Sequence, residues 1–135
     1  MRVADIMTAP VLSVMMDDRL PAIRDLMEAK KIHHLPVLEG KKLVGIISDR
    51  DILRILSPFI GTAGEMQRDT NVLNKAAHQI MTRQPITVRP TDDIDVVLNW
   101  LKKLDISCVL VTDDEANLLG IITWRDLIMH AKYDH

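Results

Sequence analysis

The chain contains itself twice, and nothing else in the sequence restricts its fold so strongly. Met7-Thr8 recurs as Met81-Thr82, 74 residues further on. Ser13-Val14 returns at the same shift as Thr87-Val88, and Leu20, Ile23 and Met27 return as Ile94, Val97 and Leu101. Pro36-Val37 aligns with Leu110-Val111. From Gly45-Ile46-Ile47-Ser48 to Gly120-Ile121-Ile122-Thr123 the shift becomes 75, and Arg50-Asp51 returns as Arg125-Asp126. The extra residue falls in the turn 112–117, where an insertion costs little. A register kept over this length marks a duplicated structural unit. The first repeat is assigned to residues 1–57, a linker to 58–76 and the second repeat to 77–135. Ser57-Pro58, Gly61 and Gly64 break regular structure at the start of the linker. The stretch 65–77 then has room for a helix.

Each repeat predicts the same order of elements. A short extended stretch (11–14 or 86–88) precedes a helix whose apolar positions fall on one face. In the first repeat these are Leu20, Ile23, Leu26 and Met27; in the second, Ile94, Val97, Leu98 and Leu101. Asp17 or Asp18, and Thr91 or Asp92, are the expected N-caps. Two apolar runs joined by a turn follow (35–38 and 43–47; 108–111 and 118–122), as in a hairpin. A closing helix covers 50–56 or 125–131. The fold class is therefore α/β of the α+β type, a tandem pair of β-α-β-β-α repeats related by a pseudo-two-fold. One unit alone leaves a sheet face uncovered, so two should pack together.

Composition allows this and excludes several alternatives. Of the 135 residues 47% are hydrophobic and 27% charged, enough for a core beneath a soluble surface. The net charge of -2 lacks the basic excess of a general nucleic-acid binder. Cys108 is the only cysteine, which rules out an intramolecular disulfide and fits a reducing compartment. No secretory signal and no run of about 20 apolar residues is visible, so a cytoplasmic protein off the membrane is expected.

The segments Gly-Ile-Ile-Ser-Asp-Arg-Asp (45–51) and Gly-Ile-Ile-Thr-Trp-Arg-Asp (120–126) stand where a strand ends and a helix begins. Free N–H groups at a helix N-terminus favour an anion such as phosphate. Ser48 or Thr123 can cap the helix or donate to that phosphate, and Arg50 or Arg125 can pair with it through a planar fork. Asp51 and Asp126 can each accept from the vicinal hydroxyls of a ribose. The same Ser/Thr-x-x-Asp spacing also describes a capping box, which needs no ligand. Both readings stand at this point.

The whole pattern resembles the CBS domain family, whose members occur as tandem pairs called Bateman modules. Its marks are Ile6-Met7-Thr8 with Ile80-Met81-Thr82, then His34-Leu35-Pro36-Val37, then the two Gly-Ile-Ile-(Ser/Thr)-x-Arg-Asp segments. The resemblance implies a regulatory module without catalytic activity, holding AMP, ADP, ATP or S-adenosylmethionine in clefts built from both repeats. One cleft would take Val11, Leu12, Ser13, Ile32, His33 and His34 with Thr123, Arg125 and Asp126. The other would take Pro85, Ile86, Thr87, Ile106, Ser107 and Cys108 with Ser48, Arg50 and Asp51. The second repeat has Val109-Leu110-Val111 where the family usually has Leu-Pro-Val. The resemblance further implies a homodimer joined through the helices after Pro21, Arg50 or Arg125, and a separate regulated protein. A structural interaction module with degenerate clefts is the alternative.

Other tempting residues carry less. His33 and His34 are adjacent, and neighbours on a strand face opposite ways, so no metal site is expected. Cys108 sits in an apolar run and is expected to pack rather than react. Trp100 lies one residue off the apolar helical face and could mark an interface; Trp124 lies within the repeated segment and could stack on a base or cover the dimer contact; simple packing accounts for both equally well.

Overall fold

The computed structural model describes residues 1–56 and 74–133, with side chains as far as residue 130. The expected breaks at Ser57-Pro58, Gly61 and Gly64, and most of the expected helix 65–77, lie outside the described residues. By its contacts the chain divides into two bodies. One comprises Met1–Val11, Lys41–Leu43 and Pro85–His135, the other Leu12–Gly40 and Val44–Gln84.

In the second of these bodies the leading strand β1 (Val14–Met15) is followed by helix α2 (Leu20–Lys30). Spacing of three and four places Leu20, Ile23 and Met27 on one buried face. Each such side chain contributes roughly 1.5–3 kcal/mol on full burial. Lys31 ends the helix in the left-handed region (φ 53), its N–H bonded to the Met27 and Glu28 carbonyls. Strands β2 (His34–Glu39) and β3 (Lys42–Ser48) are joined through Gly40, whose φ of 64 suits a residue without a side chain. Helix α3 (Asp49–Leu56) closes the unit. Strand β1 runs parallel to β2, with Val14 beside Val37. The four-stranded sheet has the order β1-β2-β3-β4, and β4 (Thr82–Arg83) pairs antiparallel to β3, Thr82 opposite Ile46. Before β4 lies the short helix α4 (Ala77–Ile80), so residues from the start of the second repeat complete a body made from the first.

The other body repeats this plan. Helix α1 (Val3–Ile6) leads into Thr8, which bridges antiparallel to Ile121 as Thr82 does to Ile46. Strands β5 (Thr87–Val88), β6 (Cys108–Thr112) and β7 (Leu118–Thr123) form a sheet in that order. Helices α5 (Ile94–Lys103) and α6 (Trp124–Tyr133) accompany it. The extra residue of this repeat is absorbed by a bulge at Val111/Thr112 and a turn in which Ala116 takes φ 67. Val3 and Ile6 of α1 are buried with Val97, Val109, Val111 and Ile122. In the body that holds α2 and α3, Ala77 and Ile80 of α4 are buried with Ile23, Leu35, Val37 and Ile47.

The expected β-α-β-β-α order is found in both repeats, but the helix starts differ. Helix α2 begins after Arg19, not after Asp17 or Asp18, and Asp18 instead accepts the Met15 N–H at 2.8 Å. Helix α5 is capped by Asp93, whose carboxylate accepts the Asp95 N–H at 3.0 Å, not by Thr91 or Asp92. Asp92 accepts from the Arg89 N–H at 2.9 Å. In both places an aspartate closes the turn before the helix, a role that suits its side chain as well as capping does. Trp100 packs against the core of its body, while Trp124 remains 44% exposed.

Candidate ligand-binding sites

Both repeated segments fold into one and the same hydrogen-bonded device. At the end of β3, Asp51 Oδ2 accepts the Ser48 N–H at 2.8 Å and the Ser48 hydroxyl at 3.1 Å. At the end of β7, Asp126 Oδ2 accepts the Thr123 N–H at 2.8 Å and the Thr123 hydroxyl at 3.2 Å. The capping reading of the Ser/Thr-x-x-Asp spacing is therefore realised at the first turns of α3 and α6. The second carboxylate oxygen is also engaged, by a residue sequence reasoning did not assign to the site. Thr82 donates to Asp51 Oδ1 at 3.1 Å, and Thr8 donates to Asp126 Oδ1 at 2.6 Å.

The residue before each threonine closes the arrangement. A Cβ on Gly45 would meet the Met81 side chain and stand 3.0 Å from the Thr82 carbonyl oxygen. A Cβ on Gly120 would lie 2.7 Å from Met7 Sδ and 3.1 Å from the Thr8 carbonyl oxygen. Only glycine lets the Met-Thr segment lie this close to the strand. The Met-Thr dipeptides and the Gly-Ile-Ile segments, separate marks in the sequence, are thus two halves of one contact.

The other site residues fall in the same two bodies as these devices. In one body Cys108 lies opposite Thr123 across the β6–β7 pair, and Thr87 lies beside Leu110. The Ile86 carbonyl accepts the Leu110 N–H at 3.2 Å. Pro85 and Ile86 are half-buried, Ser107 and Arg125 exposed, and Ile106 packs on the core. Val11 falls in this body too and is half-buried. In the other body His33 Nδ1 is 2.9 Å from Asp49 Oδ2, and the His33 carbonyl accepts the Asp49 N–H. Ser13, His34 and Ser48 are half-buried, Leu12 and Arg50 exposed, Asp51 only 7% exposed. Ile32 packs against the core there. So His33 and His34 are grouped with Ser48, Arg50 and Asp51, and Ser107 and Cys108 with Thr123, Arg125 and Asp126.

Electrostatics distinguish the two groups. Burial holds the His34 imidazole below its usual range; Asp49 and Asp51 pull it up, and His33 pushes it down. At the matching place in the other body, burial pushes the Cys108 thiol up to about 12, so it is no thiolate near neutral pH. Arg54 Nη1 stands 3.9 Å from Asp51 Oδ1, where the other repeat has Met129. Between α2 and α3 an open hollow of about 480 Å³ is lined by Met27, Ile32, His33, Ile52, Leu53 and Leu56 among others. Among the described residues, no three His, Cys, Asp or Glu side chains are placed to hold a metal ion, and no helix is long and apolar enough to cross a membrane.

Two β-α-β-β-α units, each closed by a Ser/Thr-x-x-Asp turn, define the class, and the chain belongs to the CBS domain family. The CBS domain model matches it twice, at residues 3–58 and 77–133. An uncharacterized protein of Methanocaldococcus jannaschii is 34% identical, covering 95% of this chain and 89% of the relative. The CBS domain pair of protein MJ0100, solved in complex with 5′-methylthioadenosine and S-adenosyl-L-methionine, is 28% identical with a TM-score of 0.81. That match covers 100% of this chain and 98% of the other. CBSX2, solved with AMP, shares the fold at a TM-score of 0.83 and 24% identity, over 97% of this chain and 96% of that one.

Proposed function

We propose that this chain senses an adenine nucleotide (AMP, ADP or ATP), binding it without turnover and passing the occupancy on to a separate protein. The observation that carries the reading is the pair of aspartates, Asp51 and Asp126. Each is held at a strand–helix junction with an arginine, Arg50 or Arg125, one residue earlier. A fixed carboxylate suits a ribose hydroxyl, and N–H groups opening a helix beside an arginine suit a phosphate. The likeness to the MJ0100 domain pair supports an adenosine-bearing ligand, since both molecules in that complex contain adenosine. It also keeps S-adenosylmethionine as the second reading. Among the site residues, the one potential thiol nucleophile, Cys108, is held protonated.

The site containing Asp126 is assigned the tighter of the two binding events. Loss of one charge-assisted contact lowers affinity about tenfold to a hundredfold, or ~1.5–3 kcal/mol. Asp126→Ala is expected to weaken the tighter event by that amount in calorimetric titrations with AMP and ATP, and Asp51→Ala to spare it. Equal loss in both variants would reverse the assignment. If neither aspartate touches ligand, both variants melt earlier and bind as the wild type does.

We further propose that two copies pair through α2, α3 and α6 in the cytoplasm. Leu53 and Ile128 are 61% and 64% exposed there, apolar area that a second copy would cover.

A further inference from the structure

We propose that Thr8 and Thr82 are positioning residues for the ribose: each fixes which lone pair of the neighbouring aspartate remains for a sugar hydroxyl. The inference rests on the reading of Asp51 and Asp126 as ribose acceptors.

An ionised carboxylate offers about four acceptor directions. In both bodies Oδ2 is filled, by the N–H and the hydroxyl of Ser48 or Thr123. Oδ1 receives one bond, from Thr82 or Thr8. On Asp126 one direction is left, on Oδ1; on Asp51 the same oxygen also faces Arg54 Nη1 at 3.9 Å. Without the threonine that oxygen would have two open directions and the carboxyl group would be held from one side only. With it, the plane is pinned at both oxygens before any ligand arrives, so that less ordering remains to be done on binding. The threonine hydroxyl spends its proton on the aspartate and keeps its own lone pairs, so it can accept from a second sugar hydroxyl. The vicinal pair would then be read by one aspartate oxygen and one threonine oxygen.

Placement of the threonines supports a dedicated role. Thr8 and Thr82 are exposed residues, each held by backbone pairing to the strand that ends at the aspartate's own turn. Thr8 lies 118 positions from Asp126 in sequence, and Thr82 lies 31 from Asp51. The contact is therefore made independently twice.

The test is a calorimetric titration of three proteins with AMP and with its 2′,3′-dideoxy analogue: the wild type, T8V/T82V, and T8S/T82S. Valine keeps the shape of threonine and removes the hydroxyl. T8V/T82V is expected to lose about tenfold in AMP affinity and to bind the dideoxy analogue as the wild type does. T8S/T82S is expected to bind AMP normally. Should the valine pair not fold, T8V alone, at the less buried Asp126, carries the same comparison. The inference is overturned if the valine variant keeps full AMP affinity, if it loses both ligands equally, or if serine fails to rescue. Wild-type protein that binds the two ligands equally also overturns it. Wild-type protein that binds neither overturns the proposed function itself, and this inference with it.

Discussion

Asp51 Oδ2 occupies the position a backbone carbonyl would take were α3 extended by a turn, and it satisfies the Ser48 N–H that would otherwise have no partner. Removing this carboxylate, itself only 7% exposed, strands that donor and takes an acceptor from the half-buried Ser48 hydroxyl, while the exposed Thr82 hydroxyl can turn to water. Asp51→Ala is therefore expected to lower unfolding free energy by ~1–3 kcal/mol in urea titrations, and Asp126→Ala, which is more open to water, by less. Gly45→Ala forces a methyl group against Met81 and the Thr82 carbonyl oxygen, and overpacking of this kind costs about 1–3 kcal/mol. The same titrations check it. The aspartate caps were legible in the sequence because a three-residue spacing fixes geometry locally. The threonine contacts were not, because a hydrogen bond across 118 positions exists only once the strands have paired.

Elements were legible in kind and less so at their edges. Leu20, Ile23 and Met27 declare a helix through periodicity, yet Asp18 and Asp93 look alike in sequence while one closes a turn and the other caps a helix. Asp93→Ala should cost ~0.5–2 kcal/mol as a lost cap, measured by the urea midpoint. At the bulged end of the β6–β7 hairpin Ala116 sits at φ 67, a region that disfavours any residue with a Cβ. Ala116→Gly should raise the unfolding free energy by ~0.5–1 kcal/mol, read as a higher urea midpoint. Strand β2 opens on His34, whose folded pKa lies below the ordinary 6.5. The folded state then holds fewer protons than the unfolded chain between those two values. Stability from this group is complete above about pH 6.5 and falls as pH drops through the folded value. Urea midpoints from about pH 7.5 down to about pH 5 should fall less in His34→Gln than in the wild type.

Over the whole chain the repeat predicted both β-α-β-β-α units, and it could not predict which Gly-Ile-Ile segment each Met-Thr segment would meet. The two copies carry the same residues, so a pattern written twice is silent about which copy joins which. Tertiary closure decides, and it seats Met7 against Gly120 and Met81 against Gly45. Saturation with the right ligand at a hundred times its Kd should stabilise the protein by ~2.7 kcal/mol, seen as a rise in melting temperature. L53E/I128E should change a dimer into a monomer by light scattering if α3 and α6 form the contact between copies. The crossed seating also governs the order in which the protein can be built on a ribosome. The body holding α2 and α3 can close as soon as Thr82 has emerged. Residues Met1–Val11 are made before that body and find their place after it, since β7 is not yet synthesised when the other body is complete. Until then Val3 and Ile6 have no core to enter, and a nascent chain stalled between the repeats presents them to water. A newly made neighbour that already has its second repeat could accept them, so slow elongation after residue 84 favours exchange of N-terminal arms between chains.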